Sequence, residues 1–133
     1  VHPSVPKPEF NRRLKRRTNR ATIRFTQRLS DLARTDGRSR WREVKTAAED
    51  AERELLTCLD RVRSGDETEI YLNVVSFTTV LRAWERASAR GARGSADRAA
   101  KLLGIMERMS DAGDYAARPD ALAYSSVVNA YAK

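Results

Sequence analysis

From residue 21 onward the apolar residues of this chain fall at helical spacing. Phe77, Val80, Leu81 and Trp84 stand at i, i+3, i+4 and i+7, and Tyr124, Val127, Val128 and Tyr131 repeat that spacing. Such a stripe lines one face of a helix. Phe25, Leu29 and Leu32 form a weaker copy, with Arg28 at the i+3 place. A second kind of stripe, Leu55, Leu56, Leu59 and Val62, recurs as Leu102, Leu103, Met106 and Met109. No segment alternates apolar and polar residues strictly, and no Asn-Gly hairpin signal occurs, which argues against strands.

Five helices are expected from this pattern and from its stop signals. The first spans about 20–34 and ends near Asp36-Gly37. The second spans about 40–63 and ends at Ser64-Gly65. The third spans about 73–88 and precedes ARGARG at 89–94, expected to be a flexible turn. The fourth opens at Ser95 as its N-cap and runs to about Ala112, with Gly113 as its stop. The fifth begins after Pro119-Asp120, with Asp120 as a cap.

The two stripes share a period. Phe77 to Tyr124 and Leu55 to Leu102 are both 47 residues apart, so two helix types alternate with one repeat length. That pattern is expected of a helical-hairpin solenoid, in which no hairpin can bury both stripes alone and neighbours stack into a continuous core. An ordinary helical bundle is the competing architecture.

Composition narrows the function classes. The 133 residues are 41% hydrophobic, enough for a modest core, and carry 26 Lys+Arg against 18 Asp+Glu, a net +8. The excess is concentrated: residues 1–45 sum to +10 and residues 46–133 to −2. Residues 1–19 are expected to be a basic tail, disordered or partly helical, that holds all but the last residue of NRRLKRRTNR at 11–20. Such a segment suits a polyanion, nucleic acid first, or a solvated tail. One Cys, Cys58, excludes an internal disulfide, and one His, His2, leaves no basis for His-based triads or HExxH metal sites. Glu49, Asp50, Glu52 and Glu54 sit in a charged helix with basic neighbours, as solvated faces do. No Gly-rich phosphate loop and no metal-ligand spacing is visible, so no cofactor and no enzymatic activity is expected. No apolar run approaches a membrane span. The chain starts at Val1 and stops within a helical pattern, which suggests a piece of a longer protein.

The segment ARPDALAYSSVVNAYAK, at 117–133, resembles the junction of two pentatricopeptide repeats. NVVSFTTVLRAW at 73–84 is similar, with Asn73 where Asp120 stands. Ala99, Leu102, Leu103 and Met106 follow the family's Ala-x-x-Leu-Phe-x-x-Met second-helix pattern, with Leu103 for Phe. The resemblance is good over 73–133, weaker over 22–72 and absent before. The 47-residue period exceeds the family's usual length of about 35 residues. Insertions at ARGARG and AGDYAA would account for the excess. From Phe25 to Phe77 the spacing is 52. The Trp-x-x-Leu-Gly-x-x-Tyr pattern of tetratricopeptide repeats is missing.

What the resemblance implies is an all-α, right-handed α-α superhelix of two to three repeats. These are a degenerate repeat at 20–72, a repeat with insertions at 73–120, and the start of a further one at 121–133. It implies single-stranded RNA as the partner, in mitochondria or plastids, read by two or three side chains per base. Carried over, the reading pairs are Thr78 with Asp120 and Thr26 with Asn73. Ser125 opens the next pair, and Val75 and Leu122 flank the base. In the family a Thr-Asp pair goes with guanine and Asn-Asp with uracil. Without the resemblance, Asn73 and Asp120 are N-caps and Thr78 and Ser125 are ordinary solvent-facing residues. A protein-interaction scaffold, in an organellar complex, is the alternative function, and the −2 charge of the body leans toward it.

Overall fold

The computed structural model describes residues 19–132, and the basic run expected to form a tail lies largely outside them. Among the described residues there are five α-helices and no strand. They are α1 (Arg20–Ala33), α2 (Trp41–Ser64), α3 (Val74–Ala89), α4 (Ser95–Asp111) and α5 (Ala121–Ala132), with a 3₁₀ turn at Tyr115–Ala117. Every expected helix is present, with ends within two residues of expectation.

The helix starts explain much of the register. Asn19, Asn73 and Asp120 each stand before a first-type helix in the same role. The Asn19 side chain accepts from Thr22 N–H at 2.8 Å, Asn73 from Ser76 N–H at 3.1 Å, and Asp120 from Ala123 N–H at 3.0 Å. Each bond satisfies one of the orphan donors of a first turn. The fourth helix starts differently from expectation. Gly94, at φ 80, takes the N-cap position, and Ser95 is the first helical residue. Ser95 is 1% exposed, and its hydroxyl turns back to donate to the Ala92 carbonyl at 2.7 Å. Only glycine takes such a left-handed corner without cost, so the turn is set by Gly94 and Ser95 closes it. The C-terminal end of α2 is likewise turned by Gly65, at φ 85.

The helices pack in a repeat-like order. Within each hairpin α1 meets α2 and α3 meets α4. Between neighbours α1 stacks on α3 and α3 on α5, while α2 packs on α3 and α4 on α5. The first-type helices therefore form a continuous row, and α3 is the central element. Phe77, Val80, Leu81 and Trp84 are all fully buried in it, sharing one apolar cluster with Leu55 of α2 and Leu102 of α4. The ARGARG turn is tied down. Ala92 is buried, and Arg90 donates to the carbonyls of Ser39 at 2.9 Å and Gly37 at 3.0 Å. The AGDYAA insertion becomes the 3₁₀ turn, which tucks Ala116 and Ala117 inward.

One three-helix junction stands apart. Glu52 of α2, 7% exposed, pairs with the guanidinium of Arg98 of α4, which also lies 4.9 Å over the ring of Trp84 of α3. The hydrogen bond that Arg98 donates to Glu52 is the main reason its guanidinium holds its proton even more tightly than usual, against the opposing effect of burial.

The two outer faces of the stack differ. α1 presents Arg20, Ile23, Arg24, Gln27 and Arg28, polar apart from Ile23. α5 presents Tyr124, Val128 and Tyr131, which are 45%, 64% and 56% exposed. The stripe that is fully buried in α3 is thus only partly covered in α5, where Val127 alone is buried. Tyr131, at the place of Trp84, stays outside the core, because among the described residues no second-type helix packs on this side of α5.

Candidate nucleic-acid interface

Four of the seven residues singled out in the sequence line one cleft. Val75, Thr78, Asp120 and Leu122 surround a cavity of about 180 Å³ together with Val74, Thr79 and Arg82. The cleft lies between the first turns of α3 and the start of α5, so the stacking of two first-type helices creates it. At this size it falls well below the ~300–1,000 Å³ of pockets for drug-sized ligands and suits one flat group entering edge-on.

Its lining divides by chemistry. Val75 and Leu122 are 52% and 47% exposed and stand two residues after their respective caps. They supply apolar surface at the rim. Thr78 faces inward. It is 7% exposed, and its hydroxyl is buried with no hydrogen-bond partner. The solvent-facing alternative for Thr78 is therefore not what the structure shows. A buried hydroxyl without a partner costs on the order of 1–3 kcal/mol, and most buried polar groups avoid that cost. Asp120 uses one carboxylate oxygen to cap α5 and is half-buried at the cleft. Capping and ligand contact are compatible, since a carboxylate has two oxygens and about four lone-pair sites. Arg82, one turn beyond Thr78, brings an exposed guanidinium to the same opening. Its charge, after burial, helps push the Arg86 guanidinium below its ordinary range. Arg86 in turn donates to the Ala33 carbonyl at 3.3 Å, tying α3 to the end of α1.

Compared with known proteins, the chain matches no family model, no curated protein and no solved structure. The site therefore rests on its own geometry and on the resemblance of its motifs.

The other candidates are placed differently. Ser125 is exposed on α5, and it does not line the Thr78 cleft. Asn73 is 4% exposed, with its side-chain oxygen accepting from both the backbone and the hydroxyl of Ser76. Thr26 is half-buried on α1. The capping register also revises its assignment. Thr78 and Ser125 each stand five residues after their caps, and five residues after Asn19 comes Arg24, not Thr26. Aligning Phe25 with Phe77 misses this by two positions. Phe25 is buried at the place of Thr79.

One residue that sequence reasoning left aside also lines the cleft: Arg82, which carried no signal in a single sequence beyond its charge. Among the described residues no group of His, Cys, Asp and Glu is placed to hold a metal ion, and no helix is long and apolar enough to cross a membrane.

Proposed function

We propose that this chain is a pentatricopeptide-type repeat protein that binds single-stranded RNA, and that the cleft between α3 and α5 takes one base. The observation that carries this reading is the cleft shared by Thr78 and Asp120, with the unpartnered hydroxyl of Thr78 held just beneath its wall. A base edge offers donors and acceptors that would satisfy that hydroxyl once the Thr78 side chain turns toward the cleft. The Asp120 carboxylate accepts from N–H groups, and guanine presents a ring N–H and an amino group side by side. Val75 and Leu122 would hold the flat faces of the base by apolar contact. Arg82 stands where a phosphate would lie. The right-handed superhelix, and an organellar role in RNA processing, stability or translation, belong to the same proposal and follow from the motif resemblance.

Duplex RNA keeps its base edges paired and stacked, so a reader of this kind should prefer single strands. Affinity should fall as salt rises, because phosphate contacts release counterions. Fluorescence anisotropy with a labelled single strand and the matching duplex tests both points. Saturable, salt-sensitive binding with the single strand favoured supports the reading. No binding at low salt, or a preference for duplex, contradicts it.

A second reading, a helical-repeat scaffold for other proteins, is favoured by the −2 net charge of residues 46–133. Binding a protein partner with no RNA affinity at low salt is the outcome that would select it.

A further inference from the structure

Charge is sorted between the two ends of the helices. The hairpin turns, residues 33–45 between α1 and α2 and residues 86–94 between α3 and α4, carry eight Lys+Arg and two Asp+Glu. The links between hairpins, residues 65–73 and 111–120, carry six Asp+Glu and one Arg. The two hairpin turns form one edge, because Arg90 donates to the carbonyls of Ser39 at 2.9 Å and Gly37 at 3.0 Å. The acidic links lie at the opposite helix ends, where Asn19, before α1, donates to the Glu69 carbonyl at 2.6 Å. The −2 net charge of residues 46–133 therefore conceals a basic turn at 86–94.

The cations of this edge keep their charge. Among the described residues, ion pairs form at Arg28, Arg34, Arg53 and Arg98, and none forms at Arg38, Arg40, Arg42, Arg90 or Arg93. Arg90 is held by neutral carbonyls. The Asp36 carboxylate is engaged in the turn itself, accepting from the Arg38 N–H at 2.8 Å and the Ser39 hydroxyl at 3.2 Å. Two of the arginines also stand against local preference. Arg40 is the N-cap of α2 and Arg42 its second helical residue, at the positive end of the helix dipole, whereas α1, α3 and α5 start from Asn or Asp. Cations there cost stability, and places that break a local rule are where function is expected. Between them Trp41 is 43% exposed, with the Arg42 guanidinium 5.3 Å from its ring centre.

We infer that the hairpin-turn edge is a second RNA contact, separate from the Thr78 cleft. Arg38, Arg40, Arg42, Arg90 and Arg93 hold the phosphates of a single strand without regard to its sequence, and Trp41 stacks one unpaired base. Charge complementarity calls for a polyanion. Seven of the eight cations are Arg, whose planar fork suits phosphate oxygens. An exposed indole among them suits a base, since every base has a π-face. An anionic membrane would take several inserted apolar side chains, and Trp41 is the one large apolar residue exposed in these two turns. Residues 1–18 do not complement the edge, since they carry six Lys+Arg against Glu9. The 16 residues of α3 span about 24 Å, and the edge lies at the far end of α3 from the cleft. The inference rests on the RNA reading for the kind of polymer, but not on base recognition.

Tryptophan fluorescence of the intact chain tests this, because Trp84 is fully buried and Trp41 is the other of the two tryptophans. The probe is a short oligouridylate, which lacks the guanine expected at the cleft. Its addition should quench Trp41 to saturation, with a midpoint that rises with salt. In labelled-RNA anisotropy the triple variant Arg38→Gln, Arg40→Gln, Arg42→Gln should flatten the slope of log affinity against log salt by about 2, since each single-strand phosphate contributes about 0.7. Residues 1–18 are the same in both proteins, so their charge does not enter the difference. Trp41→Leu should weaken binding at least about fivefold. Thr78→Val should leave the slope unchanged. Arg40→Ser should raise the melting temperature by a few degrees while weakening binding. All of these side chains but Thr78 are exposed, and circular dichroism checks each fold. An unchanged slope in the triple variant, or RNA binding that leaves Trp41 emission unmoved, would overturn the inference. Phosphatidylserine vesicles or polyglutamate changing Trp41 emission as strongly as RNA would overturn it too, making a membrane or an acidic protein the occupant. Guanine-selective binding with an unchanged slope would sink this inference alone, and slope-sensitive binding with equal affinity for every base would sink the cleft alone.

Discussion

Thr78 and Asp120, 42 residues apart in sequence, face the same cleft because α5 stacks directly on α3. One contributes a buried hydroxyl with no partner, the other a carboxylate already anchored by the cap of α5. Local structure thus fixes the position of the carboxylate, and packing brings Thr78 to the same cleft.

A consequence separates stability from binding at Thr78. Replacing an unsatisfied buried hydroxyl by an apolar group of the same shape removes a desolvation cost. Thr78→Val is expected to stabilise the free chain by about 1 kcal/mol, a rise of about 4 °C in melting temperature. The same substitution should weaken RNA binding. A variant that melts lower, or that binds RNA as well as the parent, would show that the hydroxyl is satisfied in solution or idle in binding.

The Glu52–Arg98–Trp84 junction should carry stability. Arg98→Ala leaves the carboxylate of Glu52 buried without its partner and uncovers one face of Trp84. Arg98 is itself 41% exposed at the side chain, so water can reach part of the gap and the cost is moderated. A loss of about 2 kcal/mol in denaturant unfolding is expected. The double variant Glu52→Gln with Arg98→Met should recover part of it, because it removes the uncompensated charge. Equal losses in the single and double variants would mean that the stack on Trp84 dominates.

Cys58 should be slow to react. Burial, followed by the Glu67 carboxylate, pushes its thiol up to about 11, with Arg61 acting in the opposite direction. The thiolate is the reactive species, so at pH 8 only about one molecule in a thousand carries it. Labelling by a thiol reagent should be slow in the native chain and fast in denaturant. The folded thiol holds its proton more tightly than the unfolded one, whose ordinary value is 9.0. Its contribution to stability is therefore present below pH 9 and is lost as the pH rises toward 11. Fast native labelling at neutral pH would place Cys58 at an open surface.

How much of this was legible in the sequence differs between fold and site. The stripes at Phe77–Trp84 and Leu102–Met109 located their helices, because burial on one face leaves a periodic trace. Asp120 and Asn73 were readable as caps for a similar local reason. Ser95 was misread because its preference for an N-cap says nothing of the left-handed corner that Gly94 provides one residue earlier. Thr26 was assigned from an aromatic-to-aromatic alignment, whereas the Asn19 cap shifts the first hairpin by two residues and puts Arg24 at the matching place. The burial of Thr78 was not readable at all. It arises from contact between α3 and α5, and a threonine on a helix gives no sign of which neighbour will cover it. Tyr131 shows the reverse, since its place matches Trp84 yet among the described residues no helix covers it as α4 covers Trp84.

The central claim is that the Thr78–Asp120 cleft reads a base, and the most direct measurement compares four single-stranded RNAs that differ at one position. They would be bound at fixed low salt to the parent chain and to Thr78→Asn. The account predicts that the parent prefers guanine, by about 1–3 kcal/mol over the worst base if the contact resembles base discrimination elsewhere. Thr78→Asn should move the preference toward uracil, as the family resemblance implies, with the circular dichroism spectrum unchanged. Equal affinities for all four RNAs in both proteins would contradict it.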